Sequence, residues 1–141
     1  MKKMLFLMLC IATAMFGANG LYRDGTKGVV VDTRTGLMWQ DNAVGSTMNW
    51  ATAITTCENL TLGGYADWRL PNINELKSIR DMSRSSPAID TTFVNTASGY
   101  YWSSTTYVAD TTFAWLVYFG SGVVFNRDKG NSYYVRCVRG N

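Results

Sequence analysis

The side chains with the most reactive chemistry in this sequence are three cysteines, Cys10, Cys57 and Cys137, and the chain contains no histidine. The missing imidazole removes the commonest general base and the commonest metal ligand of proteins. A cysteine nucleophile of the Cys-His type is excluded for the same reason. We predict no catalytic residue, no metal site and no cofactor, and we expect a protein that is not an enzyme. A calcium ion held by Asn126-Arg127-Asp128 and Asn131 is the alternative to the absence of a metal site.

The remaining candidates for chemistry are polar and aromatic loop residues with no evident duty in a core. Arg127 and Lys129 carry charges that can pair with sulfate or carboxylate groups. The residues predicted to bind a ligand are Tyr107, Asp110, Asn126, Arg127, Lys129 and Asn131. A solvated loop is the alternative interpretation, because turns are rich in the same residue types.

The first twenty residues have the layout of a secretory signal peptide. Lys2 and Lys3 precede an apolar run that is too short for a comfortable transmembrane helix, and small residues follow it. We place cleavage after Gly20, with cleavage after Ala18 as the alternative. Lipidation at Cys10 and an uncleaved membrane anchor are two further alternatives.

The net charge of the sequence is +3, from 13 basic and 10 acidic residues. The predicted signal peptide contains two of the basic residues, so the mature chain is nearly neutral. This balance argues against a nucleic-acid partner. No second apolar stretch is long enough to span a membrane. We predict one domain over residues 21–141, exported to the periplasm, the cell surface or the medium, with its oligomeric state open.

Two cysteines remain in the predicted mature chain, and an exported protein favours a disulfide between them. Cys57 lies on the apolar stripe of a predicted helix, and Cys137 lies on the predicted last strand. A bond between them would tie the helix to the sheet across 80 residues of sequence. Two separate buried thiols are the alternative.

Hydrophobic spacing predicts a hairpin followed by two helices. The hairpin strands are 28–32 and 37–40, with a turn at Gly36. The first helix begins near Asn49 and ends at the glycine pair 63–64, with one apolar face. That face consists of Trp50, Ile54, Cys57 and Leu60. The second helix runs over 73–81, with its N-cap and capping-box residues at Asn72 and Glu75.

The second half of the sequence predicts a long irregular segment and then strands. Ile89 and Phe93 are expected to pin the irregular segment, 82–99. The predicted strands are 100–103, 112–119, 123–127 and 132–139. The strand at 112–119 alternates, with Phe113, Trp115, Val117 and Phe119 on one face. The fold class is α+β, with two helices, a small antiparallel sheet and long irregular loops.

The remaining aromatic and charged residues are given structural roles. The five tryptophans, Trp39, Trp50, Trp68, Trp102 and Trp115, are predicted to be core residues, with stacking on sugars as the alternative. Asp67 and Arg69 are predicted to form a buried charge-assisted pair that fixes a loop, with a catalytic role as the alternative. Arg136 is expected to be structural as well.

Five motifs in order carry a family resemblance. They are Gly36–Gln40, Trp50–Cys57, Asp67–Asn72 with Glu75 and Leu76, Tyr101–Ser104, and Tyr134–Arg139. Together they resemble the Lcl C-terminal domain family, named for a Legionella collagen-like adhesin and formerly a domain of unknown function. The resemblance covers about residues 28–139.

The resemblance implies a C-type-lectin-like fold, related more distantly to the formylglycine-generating enzyme fold. In such folds a helix cysteine bridges to a cysteine on the last strand, a pattern that Cys57 and Cys137 match. The named family member recognises sulfated glycosaminoglycans and trimerises through collagen-like repeats. This sequence has no such repeat, so trimerisation is not carried over.

The leading hypothesis is an exported, non-catalytic binding module for a glycan or another surface polymer. A structural or assembly subunit of a cell-surface complex is the second hypothesis. A third is an oxidase that resembles the formylglycine-generating enzyme, which would need a reactive cysteine pair.

Overall fold

The computed structural model describes residues 19–140. The predicted signal peptide, residues 1–20, lies outside the described residues except for its last two. The alternatives that involve Cys10 or an uncleaved anchor lie outside them as well. No helix in the described range is long and apolar enough to cross a membrane.

Residues 19–140 form two antiparallel sheets and two helices. The strands are β1 (Leu21–Asp24), β2 (Val29–Asp32), β3 (Leu37–Gln40), β4 (Tyr100–Thr106), β5 (Phe113–Tyr118), β6 (Val123–Asp128) and β7 (Val138–Arg139), and the helices are α1 (Trp50–Glu58) and α2 (Ile73–Ser78). The sheet orders are β1-β2-β3-β7 and β4-β5-β6. The α+β class is confirmed, but the prediction of a single small sheet is wrong. The N-terminal hairpin pairs with the end of the chain and stays separate from the β4-β5-β6 meander.

The first helix is shorter than predicted. Asn49 caps α1, and its side chain accepts from the amide of Thr52 at 2.9 Å. The helix ends at Glu58, whereas the glycine pair 63–64 lies in a separate turn between Leu62 and Tyr65. The predicted apolar face is only partly buried. Cys57 is fully buried, while Trp50, Ile54 and Leu60 are half-buried.

The second helix starts as predicted and ends early. The side chain of Asn72 accepts from the amide of Glu75 at 2.8 Å, and the Glu75 carboxylate accepts from the amide of Asn72 at 2.9 Å. This reciprocal capping box explains why α2 begins where it does. The helix stops at Ser78 and does not reach residue 81. Ile89 and Phe93 are buried, as expected, in the irregular segment that follows.

The β4-β5-β6 sheet has a core cluster on each face. One cluster contains Val117 and Phe119, and α2 lies on that side through Leu76. The other contains Ala114 and Leu116, together with Ala53 and Cys57 of α1. Strand β4 runs on to Thr106, past the predicted end at residue 103.

The predicted last strand, 132–139, is mostly not a regular strand. Only Val138–Arg139 is β7, because the preceding residues bridge the two sheets. Tyr133 pairs with Met48, and Tyr134 pairs with Tyr101 of β4. The side chains of this segment still alternate between the two core clusters. Tyr133, Val135 and Cys137 pack in one core cluster, and Tyr134 and Val138 pack in the other.

The predicted disulfide is present. Cys57 of α1 is bonded to Cys137, with 5.4 Å between their Cα atoms, and both cysteines are buried. The bond joins the helix to the segment that bridges the sheets. The alternative of two separate buried thiols is therefore excluded.

Candidate functional site

The register of β5 and β6 places two aromatic side chains beside two polar ones. Trp115 lies directly opposite Asn126, and Phe113 lies directly opposite Asp128. Directly opposite side chains in an antiparallel pair have Cβ atoms about 5 Å apart and point to the same face. This face also carries Val117, where α2 covers it. The Phe113 end of the hairpin is therefore the part of this face available for contacts.

Tyr107 completes the group from the loop between β4 and β5. Its ring meets the ring of Trp115 edge-on, with 5.1 Å between centroids. Its amide donates to the carbonyl of Phe113 at 2.9 Å, which fixes the base of the loop. We call this group the aromatic platform. It consists of Tyr107, Phe113, Trp115, Asn126 and Asp128.

The platform aromatics are not core residues. Tyr107, Phe113 and Trp115 are all half-buried, and none of them packs into either core cluster of residues 19–140. Within the same range, three polar groups of the platform have no hydrogen-bond partner. They are the indole N–H of Trp115, the hydroxyl of Tyr107 and the side-chain amide of Asn126. The platform thus offers ring surface and unused hydrogen-bonding groups together.

Two of the predicted ligand residues lie on the other face of the sheet. Strand alternation puts Arg127 on the face opposite Asn126, and its guanidinium lies 4.9 Å from the ring centroid of Phe125. Lys129 Nζ lies 3.9 Å from the ring centroid of Trp50. The same ammonium donates to Thr106 Oγ1 at 2.9 Å. Arg127 therefore packs against the sheet, and Lys129 packs against α1 and the loop between β4 and β5.

Asp110 and Asn131 hold turns. The Asp110 carboxylate accepts from the hydroxyl of Thr112 at 2.7 Å and from its amide at 3.0 Å. Those hydrogen bonds, the hydroxyl one first, lower the pKa of Asp110 below its usual value. The Asn131 side chain donates to the hydroxyl of Tyr133 at 3.3 Å. Of the six predicted residues, the structure therefore gathers only Tyr107 and Asn126 with Trp115.

The prediction that Asp67 and Arg69 form a charged pair is wrong, because each of them pairs with another residue. Arg69 makes two hydrogen bonds of 2.7 Å to the carboxylate of Glu75. Asp67 accepts instead from Arg139, at 2.6 and 3.0 Å. Arg136 is structural, as expected, and pairs with the buried Asp41 at 3.0 Å.

The prediction that all five tryptophans are core residues is wrong for two of them. Trp39, Trp68 and Trp102 are buried, but Trp50 and Trp115 are half-buried. Phe113, Trp115 and Asp128 are not among the six residues predicted to bind a ligand. The register of the β5–β6 hairpin could have indicated Trp115 as a site residue, because it sets Trp115 opposite the polar residue Asn126.

A separate concave feature, unconnected with the platform, lies in the irregular segment between α2 and β4. It is a cavity of about 220 Å³ with Ile89 and Phe93 in its wall and Arg84 and Asp90 beside them. None of the predicted ligand residues lines it. Its volume is below the ~300 Å³ at which small-molecule sites usually begin. Within residues 19–140, no group of three or more Cys, Asp or Glu side chains is arranged to hold a metal ion.

Comparison with known protein families settles the resemblance of the sequence. The family model for the Lcl C-terminal domain matches residues 28–139. The chain belongs to the Lcl C-terminal domain family. The comparison with curated proteins found no match. The Lcl C-terminal domain match includes the whole aromatic platform and both bonded cysteines.

The family is associated with adhesins and is not a known enzyme family. This association and the disulfide are consistent with an exported protein. The oxidase hypothesis needed two reactive thiols in the folded Lcl C-terminal domain. Cys57 and Cys137 are bonded to each other, so those two thiols are not available.

Proposed function

We propose that this Lcl C-terminal domain is an exported, non-catalytic module that binds a glycan or another surface polymer at the aromatic platform. One observation carries the proposal: Trp115 and Tyr107 keep their rings outside the core and leave polar groups unpaired beside Asn126. Apolar C–H faces of sugar rings pack on aromatic rings, and their hydroxyls take hydrogen bonds. Exposed aromatic surface on a rigid scaffold is typical of recognition sites.

The rigidity of the support favours this role. Strand β5 lies between β4 and β6; Trp115 pairs with Asn126 of β6, and the register with β4 is interrupted opposite it. Ser103 of β4 donates through its hydroxyl to the carbonyl of Trp115 at 2.6 Å. A platform that is ordered before binding loses little conformational freedom when a ligand arrives.

The C-type-lectin-like fold and the single mature domain, residues 21–141, belong to the same proposal. They are supported by the disulfide from helix α1 to the end of the chain, which is the pattern that the resemblance implies. They are also supported by β7, which returns the C-terminal segment to β3. Neither feature identifies a ligand.

The test is binding of the oxidised domain, residues 19–141, to a broad panel of immobilised glycans, including sulfated chains. We expect binding to at least one glycan class, and we expect Trp115→Ala to weaken it about tenfold or more. Because Trp115 lies outside both core clusters, this variant should keep the thermal stability of the parent. The control is Tyr65→Ala, which removes an exposed aromatic side chain outside the platform.

Two results would count against the proposal. One is the absence of binding to every glycan by a folded, disulfide-bonded domain. The other is equal loss of binding in Trp115→Ala and Tyr65→Ala. A stable oligomer without any ligand would instead support the role of an assembly subunit.

A further inference from the structure

We infer that the ligand of the aromatic platform is a glycan without sulfate or carboxylate groups, an inference that rests on the proposed function. It follows from where the charges lie around the platform. Of the five platform side chains, only Asp128 is charged at neutral pH, and its charge is negative. An anionic ligand on Trp115 would therefore approach a carboxylate and no cation of the platform.

A second carboxylate lies on the loop that carries Tyr107. Asp110 lies in the same loop as Tyr107 and is exposed. Its hydrogen bonds from Thr112 favour the ionised form, and they lower its pKa. The acidic side chains of this region are thus Asp110 on the loop and the platform residue Asp128 on β6.

The basic residues that would suit sulfate are used elsewhere. Lys129 Nζ donates to Thr106 Oγ1 and to the carbonyl of Thr111, each at 2.9 Å, while lying over the ring of Trp50. An ammonium has three N–H donors, so these contacts engage most of its capacity. Moving Lys129 onto a sulfate would break both hydrogen bonds.

Arg127 and Arg80 are also directed away from the platform. The guanidinium of Arg127 lies over the ring of Phe125 and donates to the carbonyl of Asn126 at 2.9 Å. Arg80, which follows α2, donates to the carbonyl of Gly122 at 2.7 Å. Gly122 lies at the opposite end of the β5–β6 hairpin from Phe113. Neither guanidinium lies beside the ring of Trp115.

The unpaired groups of the platform suit neutral hydroxyls. The indole N–H of Trp115 only donates, the amide of Asn126 donates and accepts, and the hydroxyl of Tyr107 does both. Such groups complement the hydroxyls of a sugar ring, which also donate and accept. Because no ion pair is needed, binding should depend weakly on ionic strength.

The experiment compares glycans that share a backbone and differ in charge. The probes are heparin, chondroitin sulfate, their desulfated and carboxyl-reduced forms, and neutral polysaccharides, each immobilised and tested at low and high sodium chloride. We expect binding to uncharged members, a change below about twofold between the two salt concentrations, and loss of about tenfold in Trp115→Ala.

The variant Asp128→Asn tests whether the negative charge of Asp128 disfavours sulfated ligands. Asp128→Asn keeps an oxygen that accepts the 2.7 Å hydrogen bond from the amide of Gly130, so the turn is preserved. Removing its negative charge should raise the affinity for sulfated chains severalfold relative to the parent. Arg84→Gln controls for a change of one charge on an exposed side chain outside the platform.

The outcomes separate this inference from the proposed function. Preference for sulfated over desulfated chains, with steep salt dependence and loss in Trp115→Ala, overturns the ligand class and leaves the platform as the site. Binding to sulfated chains that is lost in Lys129→Met and kept in Trp115→Ala overturns both. Uncharged glycans bound at low and high salt, with loss in Trp115→Ala, support both.

Discussion

The guanidinium of Arg136 donates to the carboxylate of Asp41 at 3.0 Å, and the two side chains are 3% and 0% exposed. Asp41 also accepts from Arg23 and from the backbone amides of Val94 and Asn95. The pair therefore links the segment after β3, the irregular segment before β4 and the end of the chain. A buried charge needs such extensive pairing, because burial removes its hydration.

Replacing Asp41 with alanine should strongly destabilise the domain. The substitution leaves the buried charge of Arg136 without its counter-ion, a change that typically costs about 3–5 kcal/mol. Urea unfolding followed by tryptophan fluorescence measures the difference. Asp81→Asn is the control, because Asp81 only holds a turn with Ser83 and the asparagine keeps that hydrogen bond. A loss below 1 kcal/mol in Asp41→Ala would show that the pair does not anchor the fold.

The disulfide should contribute a large part of the stability of the oxidised domain. Closing a loop of 80 residues lowers the entropy of the unfolded chain, which corresponds to about 4 kcal/mol in the chain-entropy treatment. The double variant Cys57→Ala and Cys137→Ala should unfold at much lower urea concentration than the parent.

Because both cysteines are buried, we also expect the disulfide to be reduced slowly in the folded domain. Cys57 and Cys137 are 0% and 1% exposed, so a reductant should reach the bond only after the structure opens. Thiol titration of residues 19–141 in dithiothreitol should show slow reduction without urea and fast reduction above the unfolding midpoint. Fast reduction of the folded domain would contradict this expectation.

Local signals were sufficient to predict several elements of the fold. The capping box of Asn72 and Glu75 lies within four residues, so the start of α2 follows from the sequence alone. The positive φ of Gly36, 73°, likewise belongs to a turn whose partner strands are adjacent. The disulfide could be predicted because an exported protein favours disulfides, and because Cys57 and Cys137 both lie at positions predicted to be buried.

Features that depend on distant partners could not be predicted in the same way. Arg69 pairs with Glu75 and not with Asp67, which is nearer in sequence. This partner depends on how α2 packs against the loop, which local sequence does not show. Periodicity gave Trp115 the same inward face as Val117. Periodicity does not show that α2 covers only one end of that face, so the half-buried platform could be found only from the structure.

The ion pair of Arg69 and Glu75 predicts a loss of stability in acid. Burial disfavours ionised Glu75, but the hydrogen bonds from Arg69 and Asn72 outweigh it, and the pKa of Glu75 lies below its ordinary 4.5. Between the lowered pKa of Glu75 in the folded state and its ordinary pKa in the unfolded state, the unfolded chain binds more protons than the folded chain. The stabilisation is therefore present above pH 4.5 and is lost as the pH falls through the pKa of the folded state.

The variant Glu75→Gln tests this dependence. At pH 7 it should lower the free energy of unfolding by about 1 kcal/mol, a modest loss because Arg69 is 36% exposed. At pH 3 the difference from the parent should be smaller. Glu58→Gln removes an exposed carboxylate at the end of α1 and should show little difference at either pH. A Glu75→Gln difference that grows in acid would reverse the assigned sign.

The two candidate N-termini, Asn19 and Leu21, should give domains of different stability. The carbonyl of Gly20 accepts from the amide and from the hydroxyl of Thr33, each at 2.9 Å, and the side chain of Asn19 donates to Asp90. A chain that begins at Leu21 lacks all three hydrogen bonds. We expect it to be less stable by about 1–2 kcal/mol in urea unfolding, because partly exposed hydrogen bonds each contribute modestly.

A substitution of Thr33 in both chains separates these bonds from a general effect of shortening. In the chain that begins at Asn19, Thr33→Ala removes the hydroxyl bond to Gly20 and should destabilise the domain. In the chain that begins at Leu21, that bond is already absent, so Thr33→Ala should change the free energy of unfolding by less. Equal effects of Thr33→Ala in the two chains would mean that Gly20 and Thr33 are not coupled, since coupling appears as non-additivity.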